Sequence, residues 1–387
     1  MQKILFVGMY PDEVNPYRNV FFRNLIYAMA DSGISCTVIS PVPVTKYRSS
    51  LKKVAPYQID YSPSGREIKV YYPRYMSFSS KRIAFFNTGI WSEKSFQSCA
   101  VKAAKKIPGQ FDAVYGHFFL SGGLAGIKIA RERKNPSFIA YGECSYQTEI
   151  IDLYRELNAK DVAGLSGIIA VSTHNANVLN SKEFLKDIPK IIAPNSVDTG
   201  LFYPQDKTAA RAKLGLPLDK FIVGFVGGFI PRKGDKRLLA AIDQIDGVYG
   251  AFAGRGETPP TGEKVLFCKA LDHDTVPTFL NAVDVFCLPT LNEGSCNALV
   301  EAANCGIPIV SSDLPFNDDL LTDSNSIRID PNSVEEIKNA IQKLYSDAVL
   351  RETYANRIRE DAKKFSIDQR CCNIMRFMEN IINKGTK

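Results

Sequence analysis

Short runs of β-branched and apolar residues recur along the chain, and longer segments with apolar residues three and four apart lie between them. The short runs predict strands and the longer segments predict amphipathic helices, for example at 21–32 and 334–348. Strands that alternate with helices indicate parallel sheets, so we predict an α/β fold. The predicted strands are 4–8, 36–40, 113–116, 137–140, 167–172, 191–193, 221–226, 265–267, 285–288 and 307–311.

The chain has 387 residues, which suits two domains better than one. The alternation of strands and helices breaks at Pro-Asn-Ser-Val-Asp, residues 194–198, and then begins a second time. We therefore predict a first doubly wound domain at 1–195, a second at 196–365, and a terminal segment at 366–387.

Composition excludes several classes of protein. With 45% hydrophobic and 23% charged residues the chain matches a globular enzyme, and it has no apolar run of about 20 residues for a membrane span. The N-terminus enters the first strand directly, so we expect no secretory signal and a cytoplasmic location. Nine cysteines without a CxxC pair and three scattered histidines favour neither a disulfide framework nor a metal centre.

The net charge of +7 is unevenly distributed. Residues 1–195 carry 25 Lys and Arg against 15 Asp and Glu, and the excess is greatest between Lys46 and Lys106. Such a surface attracts an anionic partner, and a membrane with anionic lipids is one candidate. A basic face that only contacts water is an equally good interpretation.

Ligands of open parallel sheets bind beyond the carboxyl ends of the strands, so the loops there matter most. One such loop contains Gly227 and Gly228, which allow close backbone approach, and then the cations Arg232 and Lys233. This pattern predicts an anion site, although a solvated basic turn is the alternative. The loop matches neither the Walker motif nor GxGxxG.

A second loop follows the strand at 285–288 and leads into a helix. The free N–H groups at a helix start bind anions, so Gly294, Ser295 and Asn297 are predicted to hold phosphate oxygens. Glu301 lies about two turns beyond Glu293 and is placed to accept hydroxyl hydrogens of a ribose. The alternative is that Glu293 interacts only with the helix dipole and Glu301 is an exposed carboxylate.

Together these motifs resemble the family-4 glycosyltransferases, and the resemblance spans nearly the whole chain. That family has a G-R-L-x-x-x-K-G loop followed, about 60 residues later, by an E-G-x-x-x-x-x-x-E helix start. Further similar stretches are 194–198, 284–289, 330–331 and 365–366. The resemblance implies the GT-B fold: two Rossmann-like doubly wound domains facing across a cleft, with a final helix that crosses back to the first domain.

The same resemblance implies roles for the second-domain residues. Lys233 would bind the donor diphosphate with Gly227, Gly228 and the helix start, and Glu301 the ribose. Glu293 would face the transferred sugar. The family arginine is replaced by Gly228, so Arg232 is the candidate for the second cation.

In the first domain, the strand that ends in His117 is similar to a family strand whose histidine lies near the reacting centre. The alternative for His117 is a hydrogen-bonded structural histidine. The family's H-G-S-D stretch corresponds to residues 141–144, where only Gly142 is retained, so no catalytic role is assigned there. Asn15 and Arg18, in the loop after the first strand, are predicted on the acceptor side.

The triplet Asp272-His273-Asp274 matches the D-x-D metal motif of the other major glycosyltransferase fold. Its position before a predicted helix favours a capping role for Asp274 or Thr275 instead.

The resemblance implies a retaining transferase that moves a hexose-type sugar from a nucleoside diphosphate, with UDP favoured, to a glycan or lipid-linked hydroxyl. In such a reaction the departing phosphate helps to deprotonate the acceptor, so His117 would orient rather than abstract. No cofactor, metal or nucleic acid is expected, and the basic first domain is the expected contact with an anionic inner membrane face. Two alternatives remain: a nucleotide-sugar epimerase of the same fold, or a non-catalytic relative that binds a nucleotide or glycan.

Overall fold

The computed structural model describes residues 1–78, 82–83, 86–144 and 159–385. The chain forms two compact units. The first contains Met1–Ala193 together with Arg370–Lys387, and the second contains Pro194–Gln369. The predicted boundaries at 195 and 365 lie within a few residues of these.

The first unit is built on an eight-stranded sheet with the order β12-β11-β10-β9-β1-β2-β5-β4. Its central strands are buried along nearly their whole length, which explains their continuous apolar sequences. The strands of this unit are β1 (Lys3–Val7), β2 (Ser35–Ile39), β3 (Val42–Pro43), β4 (Tyr57–Tyr61), β5 (Glu67–Tyr71), β6 (Arg74–Tyr75), β7 (Arg82–Ile83), β8 (Phe86–Asn87), β9 (Ala113–His117), β10 (Ser137–Tyr141), β11 (Leu165–Ala170) and β12 (Lys190–Ile192).

The prediction of purely parallel sheets is wrong at one edge of this sheet. β4 pairs antiparallel with β5, and Tyr57 lies opposite Tyr71. β4 exposes every second side chain and β5 buries Ile68 and Val70. Alternation of this kind is typical of a half-exposed edge hairpin rather than of a strand–helix–strand unit.

The helices of the first unit are α1 (Val20–Asp31), α2 (Val44–Tyr47), α3 (Thr88–Ala104), α4 (Leu124–Arg133) and α5 (Thr173–Asn180). A 3-10 helix (Arg48–Lys53) follows α2, and a π-helical turn (Phe118–Gly123) follows β9. The predicted helix at 21–32 corresponds to α1.

The second unit has a six-stranded, all-parallel sheet with the order β15-β14-β13-β16-β17-β18. Numbered within the unit this order is 3-2-1-4-5-6, the doubly wound arrangement whose direction reverses between β13 and β16. The strands are β13 (Phe221–Val226), β14 (Val248–Ala253), β15 (Val265–Lys269), β16 (Val285–Leu288), β17 (Ile309–Ser312) and β18 (Ser326–Ile329). The sequence pattern did not predict β14 or β18.

The helices of the second unit pack against both faces of this sheet and enclose one hydrophobic core. They are α6 (Lys207–Leu214), α7 (Asp235–Ile242), α8 (Val276–Ala282), α9 (Asn297–Asn304), α10 (Val334–Ser346) and α11 (Ala348–Ala362). The final helix, α12 (Ile367–Gly385), begins in the second unit and continues into the first.

Within the described part of the chain, helices fall short of the length and apolar character needed to cross a bilayer.

Candidate functional site

The reversal of strand order in the second unit brings two distant loops together. β13 and β16 are neighbours in the sheet although more than 50 residues separate them in sequence. The loop with Gly227 and Lys233 follows β13, and the loop with Glu293 follows β16. Both predicted anion-binding loops therefore lie at the edge where ligands of this sheet type bind.

Backbone contacts hold the two loops in place. The Leu291 amide donates to the Arg232 carbonyl at 2.9 Å. Gly234 adopts φ +81°, and a Cβ at this position would lie 2.5 Å from the Pro289 carbonyl oxygen. Glycine is therefore required at 234 by both its conformation and the close approach of the second loop.

The charged side chains of these loops converge on one carboxylate oxygen. Glu293 Oε1 accepts from Lys233 Nζ at 2.6 Å and from Arg232 Nη1 at 2.8 Å. Thr290, which is fully buried, donates its hydroxyl to the same oxygen at 2.8 Å. Arg232 Nη1 also donates to the Asn292 carbonyl. Two cations and one anion thus leave an excess positive charge in a largely desolvated site.

Electrostatics keep this cluster ionised. Burial opposes the charge of Glu293, but Lys233 and Arg232 outweigh it and hold the pKa of the carboxyl below its usual value. Burial also opposes the charge of Lys233, but a negative charge on Cys296 or Glu293 opposes burial, and the net effect raises the pKa of Lys233. Burial raises the pKa of Cys296 to about 11, so at neutral pH it is a thiol and Glu293 is the effective partner.

The helix after the second loop begins later than predicted. Cys296 has an extended backbone and caps α9, so the first helical residue is Asn297 and Gly294 and Ser295 precede the helix. The Ser295 hydroxyl accepts from the Asn195 amide at 3.1 Å. The Asn297 side-chain oxygen is buried and has no hydrogen-bond partner among the described residues.

Glu301 lies in the second turn of α9 and is only 9% exposed. The alternative that it is an exposed carboxylate is therefore wrong. Its Oε1 lies 3.6 Å from His273 Nε2, and the His273 ring packs edge-on against Phe202.

A third loop, after β14, continues the edge of the site. The backbone amide of Phe229 donates to the Arg255 carbonyl at 2.8 Å, so the backbone of Arg255 lies next to Gly228. A Cβ added at Gly228 would have only that carbonyl within 4 Å, at 3.8 Å. The position where the family arginine is missing thus borders open space, and the exposed Arg255 lies beside it.

The first unit has a comparable edge, where β1 and β9 are adjacent. His117 ends β9 and is 4% exposed, and its ring stacks on Phe22 with a centroid distance of 4.2 Å. Neither ring nitrogen has a hydrogen-bond partner in the described residues, so the interpretation as a hydrogen-bonded structural histidine does not describe it. Burial, and then Arg370, lower its pKa to about 3, so the ring is neutral at physiological pH.

The next residue, Phe118, adopts a left-handed φ of 64° and opens the π-helical turn. Backbone strain and π-helical turns are both concentrated at functional sites. The Phe119 amide donates to Glu143 Oε1, and the Gly142 amide donates to Glu143 Oε2 at 3.1 Å. Burial raises the pKa of Glu143 to about 7.

Asn15 and Arg18 lie together in the loop after β1. Both donate to the Tyr47 hydroxyl, at 2.7 and 2.6 Å, and that hydroxyl donates to Asp12 at 2.6 Å. Arg18 Nη1 is buried without a hydrogen bond within the described residues. The structure therefore brings the two predicted acceptor-side residues to one side-chain network.

The second unit matches a known family. Residues 206–365 match the family model described as glycosyl transferases group 1. The C-terminal unit carries a glycosyl transferases group 1 domain. The predicted resemblance to a glycosyltransferase family is thereby confirmed for the part of the chain that holds both predicted anion-binding loops.

Relatives extend over nearly the whole chain. A putative teichuronic acid biosynthesis glycosyltransferase, TuaC of Bacillus subtilis, is 22% identical over 375 residues, which are 92% of this chain and 93% of that protein. A D-inositol 3-phosphate glycosyltransferase of Stackebrandtia nassauensis is 24% identical over 382 residues, or 90% and 83% of the two chains.

Solved structures show the fold. Sucrose-phosphate synthase from Thermosynechococcus elongatus superposes with a TM-score of 0.79 at 18% identity and covers 99% of this chain and 100% of its own. HepE of Anabaena, in complex with UDP and glucose, has a TM-score of 0.67 at 16% identity with 98% and 100% coverage. The chain has the GT-B fold, as predicted.

Sequence reasoning missed three contributors to the group 1 domain's site. Thr290 is buried on Glu293, His273 lies beside Glu301, and Arg255 borders Gly228. For Arg255 a signal existed, because a cation between two glycines follows β14, but that strand was not predicted.

Thr275 occupies the N-cap position of α8, one of the two positions predicted, but its side chain makes no capping hydrogen bond. A 3-10 helix occupies His273–Thr275, and α8 begins after it without a side-chain cap from Thr275. Throughout the described ranges, groups of three or more His, Cys, Asp or Glu side chains suited to a metal ion are absent.

Proposed function

We propose that this protein is a retaining glycosyltransferase that moves a hexose-type sugar from a nucleoside diphosphate, with UDP favoured, to a hydroxyl of a glycan or lipid-linked acceptor. The group 1 domain supports glycosyl transfer. The names of TuaC and of the inositol phosphate enzyme support an acceptor in polysaccharide or glycoconjugate synthesis, and the complex of HepE with UDP supports the donor.

The observation that carries the proposal is the convergence of Lys233 and Arg232 on Glu293 at the switch point of the sheet. Transfer breaks the bond between the anomeric carbon and a diphosphate oxygen, which keeps the electron pair. The acceptor oxygen bonds to the same carbon, and its proton passes to the leaving diphosphate. Fixed positive charge stabilises that leaving group most in a desolvated site.

Each loop has a part in this proposal. Lys233 binds the diphosphate together with Gly227 in the loop after β13 and with Gly294 and Asn297 at the start of α9. Arg255, whose backbone lies next to Gly228, supplies the second cation in place of the missing arginine, and Arg232 holds Glu293 beside Lys233.

The carboxylates and His117 complete the assignment. Glu301 binds the ribose and Glu293 faces the transferred sugar. The neutral His117 orients the sugar and does not act as a base.

Two variants test the diphosphate site. We expect Lys233→Ala to lower kcat/KM by about 100-fold or more, the usual cost of removing one donor to a developing anion. Arg255→Ala should weaken nucleoside diphosphate binding by about tenfold, because a hydrogen bond to a charged group contributes about 1.5 kcal/mol or more. Released nucleoside diphosphate and calorimetry measure the two effects.

Lys236 is the matched control, because it is exposed and only three residues from Lys233. Lys236→Ala should leave both quantities unchanged. Unchanged turnover in Lys233→Ala, with the fold intact by circular dichroism, would refute the assigned donor site.

Product analysis separates the two alternatives. Sugar interconversion without an acceptor would indicate an epimerase, and nucleotide binding without sugar release from any acceptor pool would indicate a non-catalytic relative.

A further inference from the structure

An exposed aromatic and basic surface lies on the first unit. Its apolar members are Met76, Phe78 and Trp91, which are 49%, 44% and 52% exposed. The Phe78 and Trp91 rings pack edge to face with centroids 6.1 Å apart. We call this group, with the lysines described next, the Trp91 surface.

Hydrogen bonds connect the segments that carry four lysines of this surface. The Thr45 hydroxyl bonds to Ser77, and the Arg74 guanidinium donates to the Val54 carbonyl. Both ends of segment 45–54 are therefore tied to segment 74–77, which leads into Phe78. The exposed lysines of the Trp91 surface are Lys46, Lys52 and Lys53 on that segment and Lys94 one turn after Trp91.

Helix α3 is fastened to the same segment. The Phe78 amide donates to the Ser92 hydroxyl at 2.6 Å, and that hydroxyl donates back to the Phe78 carbonyl at 3.1 Å. Trp91 and Phe78 are thus held side by side by backbone and side-chain hydrogen bonds. The two rings are therefore exposed on a segment that hydrogen bonds fix to α3.

The segments that carry these rings and the neighbouring lysines contain almost no acidic residues. Segments 44–56 and 76–78 contain no acidic residue, and α3 contains only Glu93. The Glu93 carboxylate faces inward: one oxygen accepts from Ser121 at 3.1 Å, and the other is buried. Two further lysines, Lys102 and Lys106, are exposed at the end of α3 and just beyond it, whereas Lys105 there pairs with Glu132 at 3.2 Å.

Large exposed apolar side chains among cations suit the headgroup region of an anionic bilayer. Trp prefers the headgroup level of a bilayer, where its ring is desolvated and its N–H stays hydrated. Lysines place their methylene chains along apolar surface and their ammonium groups among lipid phosphates. A soluble polyanion would bind the lysines and leave Trp91 and Phe78 in water.

We infer that the Trp91 surface docks on an anionic lipid bilayer, with Trp91 and Phe78 entering the headgroup region and the lysines binding lipid phosphates. This docking deepens the proposed function, because it holds the enzyme where a lipid-linked acceptor resides. Binding to vesicles needs neither donor nor acceptor, so the two proposals fail separately.

Trp91 is the only tryptophan of the chain, so its fluorescence reports this surface alone. With vesicles that contain phosphatidylglycerol we expect a blue shift of the emission and quenching by brominated lipid. Vesicles of phosphatidylcholine alone should give neither. Anionic vesicles that carry the protein in flotation without changing Trp91 emission would overturn the docking surface, and so would failure to float at low salt.

Two matched pairs of variants test the contributions. Lys52→Gln/Lys53→Gln should lower the partition coefficient about 30-fold, since each lysine near an anionic surface contributes about 1 kcal/mol. The exposed pair Lys363→Gln/Lys364→Gln in the second unit removes the same charge and should have little effect. Phe78→Ser should weaken flotation, whereas Val349→Ser, at a residue 76% exposed in the second unit, should not.

Other occupants give different results. If a soluble anionic polysaccharide produces the same blue shift as vesicles, the bilayer is not the partner. Concentration-dependent dimers that disappear in Phe78→Ser would show that a second copy covers the surface and would also overturn the inference. Glycosyl transfer to a soluble acceptor should be unchanged in Phe78→Ser.

Discussion

At the scale of single residues, the protein places carboxylates in two opposite environments. Glu293 is buried against two cations and stays ionised, whereas Glu143 is buried and receives two backbone amides. Burial raises the pKa of Glu143 to about 7, and the nearby Glu93 adds to the shift. The carboxyl that lacks a cation therefore exchanges its proton near physiological pH.

This contrast gives a pH prediction for stability. The folded state keeps the proton on Glu143 up to about pH 7, whereas the unfolded chain releases it near 4.5. Between these values the unfolded state binds fewer protons, so the free energy of unfolding falls as pH rises. Glu143→Gln has no carboxyl to titrate and lacks this pH-dependent fall. From pH 5 to 7 its free energy of unfolding should therefore rise relative to that of the wild type by at most about 1.4 kcal/mol per pH unit.

Urea unfolding at several pH values measures the difference. Glu183→Gln is the control, because that side chain is 84% exposed and should give a difference that does not vary with pH. A constant difference for Glu143→Gln as well would show that Glu143 is ionised in the folded protein.

At the scale of elements, three loops of the second unit depend on close backbone contact. The Gly227 amide donates to the Ala253 carbonyl and Phe229 to Arg255, so the pairing of β13 and β14 continues into their loops. A Cβ at Gly254 would overlap the Gly227 carbonyl oxygen. The loop that carries Arg255 is therefore positioned by the absence of a side chain at 254.

Gly254→Ala should separate these loops. We expect kcat/KM to fall by about 100-fold, the effect of misplacing a binding group by about 1 Å. Gly200→Ala is the matched control, since a Cβ there meets only the exposed Asp198 side chain, at 3.1 Å. Steady-state kinetics with released nucleoside diphosphate distinguish the two; equal activities would show that the loop contact is unimportant for the site.

The same elements show where sequence patterns were sufficient. Strands β1, β9, β13 and β16 were predicted because long apolar runs between polar loops define buried parallel strands. β14 was missed because Gly250 and the two alanines Ala251 and Ala253 weaken its β-branched character, and only burial between β13 and β15 makes it a strand. Helix α9 begins later than the sequence pattern predicted, because the tertiary surroundings of Cys296 give it an extended backbone.

At the scale of the whole molecule, the N-terminus contacts the C-terminal helix in the first unit. Arg370–Lys387 belongs to that unit, and the N-terminal ammonium of Met1 lies 3.3 Å from Glu379. The Phe377 ring packs edge-on against Phe138 of β10 and covers Gly167 of β11. The C-terminal helix therefore contributes to the core of a unit whose other residues end at Ala193.

Phe377→Ala should destabilise the first unit by about 3 kcal/mol, the low end of the usual cost of truncating a packed aromatic side chain, because Phe377 is only partly buried. Hydrogen exchange should accelerate at β1 and β10 and remain unchanged at β13. Arg376→Ala, at an exposed neighbour, is the control. Equal acceleration in both units would mean that they unfold as one.

The sequence alone determined the α/β class, the two series of strands and helices, and the residues of both predicted anion-binding loops, because periodicity, glycines and adjacent cations are local features. Tertiary structure decided which loops became neighbours, since strand order follows from packing and not from adjacency in the chain. It paired Lys233 with Glu293, placed Arg255 beside Gly228, and buried His117 and Glu143. Charge state and partner depend on burial and on distances across the fold, and those arise only when the sheet has formed.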